Sequence, residues 1–171
     1  MNTPQEEVLD LVNEHDEVTG TMPRSEVYAK DLHNFRVVNC FIKNSDGKLW
    51  IPRRQSRKRL FPNCLDVSCG GHVSSGETYE DAFQKEMMEE LNIETTTTPY
   101  IELGICTPST DGTSAFMYVY EIQSDIVPNY NAEDFSGYEW LTPREVLAKL
   151  EAGDKSKDDL PILIQKFYIN K

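Results

Sequence analysis

The chain has 171 residues, 39% hydrophobic and 27% charged, with a formal net charge of −12. That length holds one well-buried core and is short for two ordinary domains, and the composition is that of a soluble globular protein. The negative charge argues against a nucleic-acid polymer as partner, no apolar run nears the about 18 residues of a bilayer span, and MNTPQEEVLD lacks the marks of a secretory signal.

Residues 8–12 and 17–22 read as a hairpin around Asn13-Glu14-His15-Asp16. Pro23-Arg24-Ser25 opens a helix through Lys30, so residues 1–34 form a hairpin and a helix to be packed on the core of a single domain, 1–171. A β-rich run, 35–43, ends at Asn44-Ser45-Asp46-Gly47, and a second strand resumes over 48–54. Residues 65–69 read as a short strand running into Gly70-Gly71. The span 78–91 has the clearest helical pattern. Strands follow at 101–106 and 114–122, with Thr110-Asp111-Gly112 as the turn between them. After a strand at 138–141, Thr142 with Pro143 and Glu145 gives a capping-box start to a helix, and a last helix covers 160–169. Strands with helices between and after them predict an α/β protein with a mixed sheet covered by helices. Cys40, Cys64, Cys69 and Cys106 form no C-x-x-C pair, which fits free thiols in a reducing cytoplasm.

The helix at 78–91 carries the chemistry. Glu86, Glu89 and Glu90 stand at i, i+3 and i+4, so the helical period gathers three carboxylates toward one side. Their repulsion is mildly destabilising in water, whereas Mg²⁺ favours carboxylates combined with substrate phosphates. Phe83, Met87 and Leu91 form an adjacent apolar stripe that anchors the helix to the sheet. Gly70-Gly71, directly before, lets the backbone turn tightly and approach a ligand.

Together these residues resemble the Nudix signature G-x5-E-x7-R-E-U-x-E-E-x-G-U, where U is bulky and apolar. Gly71, Glu77, Glu86, Met87, Glu89, Glu90 and Ile93 stand at its required positions. Two positions depart. Lys85 replaces the arginine that orients a glutamate of the site, keeping the charge but losing the planar fork. Asn92 replaces a glycine after the helix, where a left-handed residue is wanted and asparagine is the usual second choice. The resemblance implies an α/β/α sandwich around a mixed sheet and Mg²⁺-dependent (or Mn²⁺-dependent) cleavage of a small-molecule diphosphate. It implies metal ligands at Glu86, Glu89, Glu90 and Gly71, with Glu77 completing or orienting the shell. Glu89 is the first choice for the base, with Glu86 and Lys85 beside it. A homodimer is carried as the assembly, although no residue pattern specifies one.

The central region and Cys69-Gly70-Gly71-His72 are similar to the branch related to isopentenyl-diphosphate isomerase, which gives a competing reading with Cys69 as a catalytic thiol. The stretch 111–118 lacks the glutamates that such an isomerase uses. A third reading is a Nudix module that binds its ligand without turnover. Arg53, Arg54 and Arg57, in a basic run of an acidic chain, are candidates for a phosphate clamp, and His72 for a residue near substrate. Glu133 or Asp134 is a candidate for a late acidic ligand or base.

Overall fold

The computed structural model describes residues 4–171. The first three residues, which begin both the segment read as free of a signal and the unit 1–34, lie outside that range. Strands β1 (Val8–Val12) and β2 (Val18–Pro23) pair antiparallel. Asn13 shapes the turn between them by accepting hydrogen bonds on Oδ1 from the amides of His15 and Glu17. Helix α1 (Arg24–Ala29) follows without a break.

Strand β3 (Arg36–Lys43) is the spine of the main sheet. It pairs parallel with β7 (Phe116–Gln123) and antiparallel with β4 (Leu49–Arg54), which it meets at Lys43 and Leu49. Along its first half it also pairs antiparallel with β5 (Cys69–His72). Strands β6 (Ile101–Cys106) and β8 (Phe135–Leu141) complete the order β6-β7-β3-β4-β8. One parallel pair among antiparallel ones makes this the mixed sheet that the sequence predicts.

The two-residue period of β3 divides the core into two layers. Val37 and Phe41 join Leu9, Val27, Leu49, Ile51, Val146, Leu160 and Leu163 on one side. Val38, Cys40 and Ile42 join Phe83, Met87, Leu91 and Trp50 on the other. The first layer lies under α1, α4 (Pro143–Glu151) and α5 (Leu160–Ile164), which continues as a π-helical turn (Gln165–Ile169). The second lies under α2 (Tyr79–Leu91). Helices on both faces of a mixed sheet make the α/β/α sandwich.

Three local expectations change. The strand expected at 65–69 is instead Cys69–His72, and Leu65 makes only isolated bridges to Arg53 and Ser156. Gly70 and Gly71 take the place beside β3 because they have no side chains: a Cβ on Gly70 would stand 2.7 Å from Asn39 Oδ1. The turn expected at Thr110-Asp111-Gly112 is the end of a short helix, α3 (Pro108–Asp111), capped by the Thr107 hydroxyl. The last helix changes from α to π at Gln165.

Candidate active site

Helix α2 begins with a capping box, in which Thr78 Oγ1 accepts from the Asp81 amide and the Asp81 carboxylate accepts from the Thr78 amide. It ends at Asn92, which is left-handed at φ 54° and ψ 37°, as the substitution for glycine requires. The Asn92 amide group also donates to Asn129 O at 2.6 Å, a bond that glycine could not make. Phe83, Met87 and Leu91 are buried, so the apolar stripe seats the helix as expected.

That seating orients the glutamates. Glu86 and Glu90 line a cavity of about 540 Å³, whereas Glu89 is exposed and is not among the wall residues. The division follows from helix geometry. At about 100° per residue, Glu90 stands about 40° to one side of Glu86 and Glu89 about 60° to the other. The three carboxylates therefore do not share one direction, and only Glu86 and Glu90 face the cavity. Among the described residues, no three acidic, histidine or cysteine side chains form a complete metal cage.

Burial, then Glu89, raises the Glu86 carboxyl to about 7, and burial, then Asp66, raises Glu90 well above the usual carboxylate range. Among the described residues neither side chain has an ion-pair or hydrogen-bond partner, in a chain where most cavity acids do. Gly71 sits directly beneath Glu86: a Cβ there would overlap the carboxyl group and stand 2.7 Å from Cγ. Glycine is thus required by close approach of the carboxylate to the β5 backbone. Two half-buried acids without cationic partners, beside the glycine backbone of β5, fit a hard divalent ion that completes its shell with water and substrate oxygens.

Glu77 has another part. Lys85 Nζ donates to both of its oxygens, at 2.9 and 3.0 Å, and the Ser74 amide donates to Oε2 at 3.0 Å. A single ammonium thus reaches both oxygens of the carboxylate, without the planar fork of an arginine. Both oxygens of Glu77 are engaged, and it is not among the residues of the cavity wall.

His72 lies on the cavity wall, its ring stacked on Phe35 at 5.7 Å and its Nε2 2.7 Å from the Tyr28 hydroxyl. Burial, reinforced by Arg24, lowers it to about 3, so it is neutral near pH 7. The basic run separates. Arg54 reaches the cavity and donates to Asp66, Leu60 O and Phe61 O. Arg53 instead grips Asp154 with two bonds of 2.9 and 2.8 Å, and Arg57 pairs with Glu133 at 2.5 Å; neither belongs to the wall. Asp134 is engaged by Lys58 at 2.5 Å, so the two late acids serve as partners for the basic run. Cys69 is buried at 2% exposure, and burial pushes its thiol well above its ordinary range.

Sequence reasoning missed Glu7, Asn39, Asp66 and Lys157, all on the cavity wall. Asn39 and Asp66 carried a signal, as polar residues inside apolar runs, but Glu7 and Lys157 reach the site only through tertiary packing.

The NUDIX domain model matches residues 33–160. An uncharacterized Nudix hydrolase of Nostoc sp. is 54% identical over 164 residues, covering 96% of this chain and 97% of that protein. The crystal structure of DR0079 from Deinococcus radiodurans is 50% identical, has a TM-score of 0.89, and covers 95% of this chain and 99% of that one. More distantly, a protein of Kocuria rhizophila named isopentenyl-diphosphate Delta-isomerase is 28% identical over 155 residues, covering 88% of this chain and 85% of that one, in keeping with the branch resemblance. The chain belongs to the NUDIX domain family and is a Nudix hydrolase, of the class that acts on small pyrophosphate-containing molecules.

Proposed function

We propose that the protein is an Mg²⁺-dependent hydrolase, with Mn²⁺ as a substitute, that cleaves a diphosphate bond of a nucleoside-diphosphate-X or related organic diphosphate. The observation that carries this reading is the pair Glu86 and Glu90, buried in the wall of a polar cavity and without cationic partners. When bound, Mg²⁺ supplies charge neutralisation at the diphosphate oxygens and a water of lowered pKa. Glu90, the more deeply buried, is the anchoring ligand. Glu86 shares that role and, from its place on the cavity wall, is the carboxyl that we assign to accept the proton of the attacking water. Glu89, exposed outside the wall, acts on Glu86 through its charge. Lys85 and Glu77 hold the loop, and Arg54, Lys58 and Lys157 offset the charge of the substrate phosphates. Neutral His72 with Phe35 offers an apolar, stackable surface for the group X.

The isomerase reading has no support from an acid–base thiol, since Cys69 is buried outside the wall; Ser114 and Met117 represent the stretch 111–118 in the cavity and bring no carboxyl to it. Four buried free cysteines support a reducing cytoplasm, and the homodimer is to be tested by sedimentation equilibrium. The reaction is tested with a panel of organic diphosphates, isopentenyl diphosphate included, followed for phosphate release and for double-bond migration, with Mg²⁺ and with chelator. Metal-dependent phosphate release that survives Cys69→Ala is the expected result. Migration without phosphate release, lost in Cys69→Ala, overturns the proposal.

A further inference from the structure

Three consecutive residues of the loop between β5 and α2 are held from outside it. Asp10, on β1 and only 7% exposed, accepts from the Ser75 hydroxyl at 2.7 Å on one oxygen and from the Gly76 amide at 3.1 Å on the other. Glu7 accepts from the Ser74 hydroxyl at 2.7 Å on Oε1 and from Arg24 at 3.3 Å on Oε2. The Ser75 amide donates to Val8 O at 2.8 Å, and Leu9 bridges Ser74. Residues 7 to 10 thus lie along residues 74 to 76 like an added strand, although they fall outside the matched span 33–160.

The contacts lead directly to the glutamates. Ser74, held by Glu7, gives its amide to Glu77, and Lys85 joins Glu77 to the Ser74 hydroxyl, the last at 3.5 Å. Lys85 is next in sequence to Glu86. Within the loop only the turn closed by the Glu77 amide on Ser74 O, at 3.0 Å, and the Ser74 amide on Glu77 shape the chain, and Asp10 adds both of its oxygens from outside without any ion-pair partner among the described residues. A buried carboxylate so used is costly unless its hydrogen bonds are all made, which ties its burial to one position of the loop.

We propose that the N-terminal hairpin is a working part of the site, in which Asp10 and Glu7 are positioning residues that clasp residues 74–76 and thereby set the stance of Glu77, Lys85 and Glu86. The geometry stands alone, while its consequence for metal binding rests on the proposed function above.

The test uses the full chain and Mn²⁺ as probe, with free Mn²⁺ read by electron paramagnetic resonance and amide exchange read by mass spectrometry. Asp10→Asn keeps the shape but removes the charge and one of the two acceptors, so that the Ser75 hydroxyl must turn from donor to acceptor. It should raise the Mn²⁺ dissociation constant about tenfold, the size typical of lost outer-shell partners. It should also strip exchange protection from residues 74–77 while α2 stays protected. Thr142→Ala, which removes the cap of α4 far from the loop, controls for general stability and should leave Mn²⁺ binding unchanged. Parent-like Mn²⁺ affinity together with parent-like loop protection in Asp10→Asn overturns the proposal. So does weakening in both variants in proportion to their loss of melting temperature. If the parent itself binds no Mn²⁺, the metal reading fails, and loop exchange alone decides for or against the clasp. Should Asp10→Asn not fold, Ser75→Ala removes the same bond from the loop side and is judged by the same two readouts.

Discussion

Glu86, Glu89 and Glu90 are the same side chain within five residues, yet each meets a different environment. Their spacing was legible in the sequence, as was the apolar stripe beside them. Which of the three would face the cavity was not, because the helix pattern gives angles between residues but not the position of the loop and strands that wall the site. The exposure of Glu89 and the burial of Glu90 predict unequal effects of removing the charge. Glu86→Gln and Glu90→Gln should each lower kcat about 100-fold or more, in the range of a lost general base or metal ligand. Glu89→Gln should cost less than about tenfold, through the loss of its field at Glu86. Steady-state kinetics at saturating Mg²⁺ separate these outcomes. An equal collapse in all three variants means that Glu89 swings into the cavity and shares the ion.

Helix α2 was read almost to the residue, and the physical reason is that its signals are local: the spacing of its carboxylates, an apolar stripe, and a left-handed stop at Asn92. Strand β5 was misplaced because its glycines mark close approach rather than chain reversal, and the neighbours they approach, Asn39 of β3 for Gly70 and Glu86 of α2 for Gly71, are distant in sequence. The packing of α2 against β5 buries Glu86, with a consequence for stability. The carboxyl is raised from 4.5 to about 7 in the fold, so between those values the folded chain binds more protons than the unfolded one. By linkage, the stability that Glu86 contributes must then fall as pH rises through that window, while His72, lowered to about 3, contributes the opposite slope below its ordinary range. In chelator, the parent should therefore lose melting temperature relative to Glu86→Gln between about pH 5 and pH 7.5. Saturating Mg²⁺ should remove that loss, since the ion replaces the proton and stabilises the folded chain. Thermal melts of both proteins across pH, with and without Mg²⁺, check this; a constant difference between them in chelator means that the Glu86 carboxyl is better solvated than its surroundings indicate.

Across the whole molecule, contacts distant in sequence decide what the basic run does. Its composition suggested a phosphate clamp, and nothing local could reveal that Arg53 meets Asp154, 101 residues on, or that Arg57 and Lys58 meet Glu133 and Asp134. The family pattern and the layer architecture were legible because they rest on local periodicity; these pairings were not, because they depend on how β4 and β8 bring their flanking loops together. Arg53 is therefore expected to brace the segment after α4 against the sheet, while Arg54 serves the cavity. The Arg53 guanidinium, through its hydrogen bonds, holds Asp154 down from 3.8 to about 2, and the paired side chains are 32% and 24% exposed. Discounted for solvent screening, the pair contributes about 1 kcal/mol, or about 2–4 °C for a chain of this size. A depressed acid stabilises the fold above its unfolded pKa and ceases to do so as pH falls through the folded one. Arg53→Ala and Asp154→Asn should therefore each lower the melting temperature by that amount near neutrality. Their gap from the parent should close between about pH 4 and pH 2, and neither should change KM for the diphosphate. Arg54→Ala, in contrast, should raise KM several-fold, because it removes positive charge from the cavity wall. A raised KM in Arg53→Ala with an unchanged melting temperature would return Arg53 to the substrate and end its assignment as a brace.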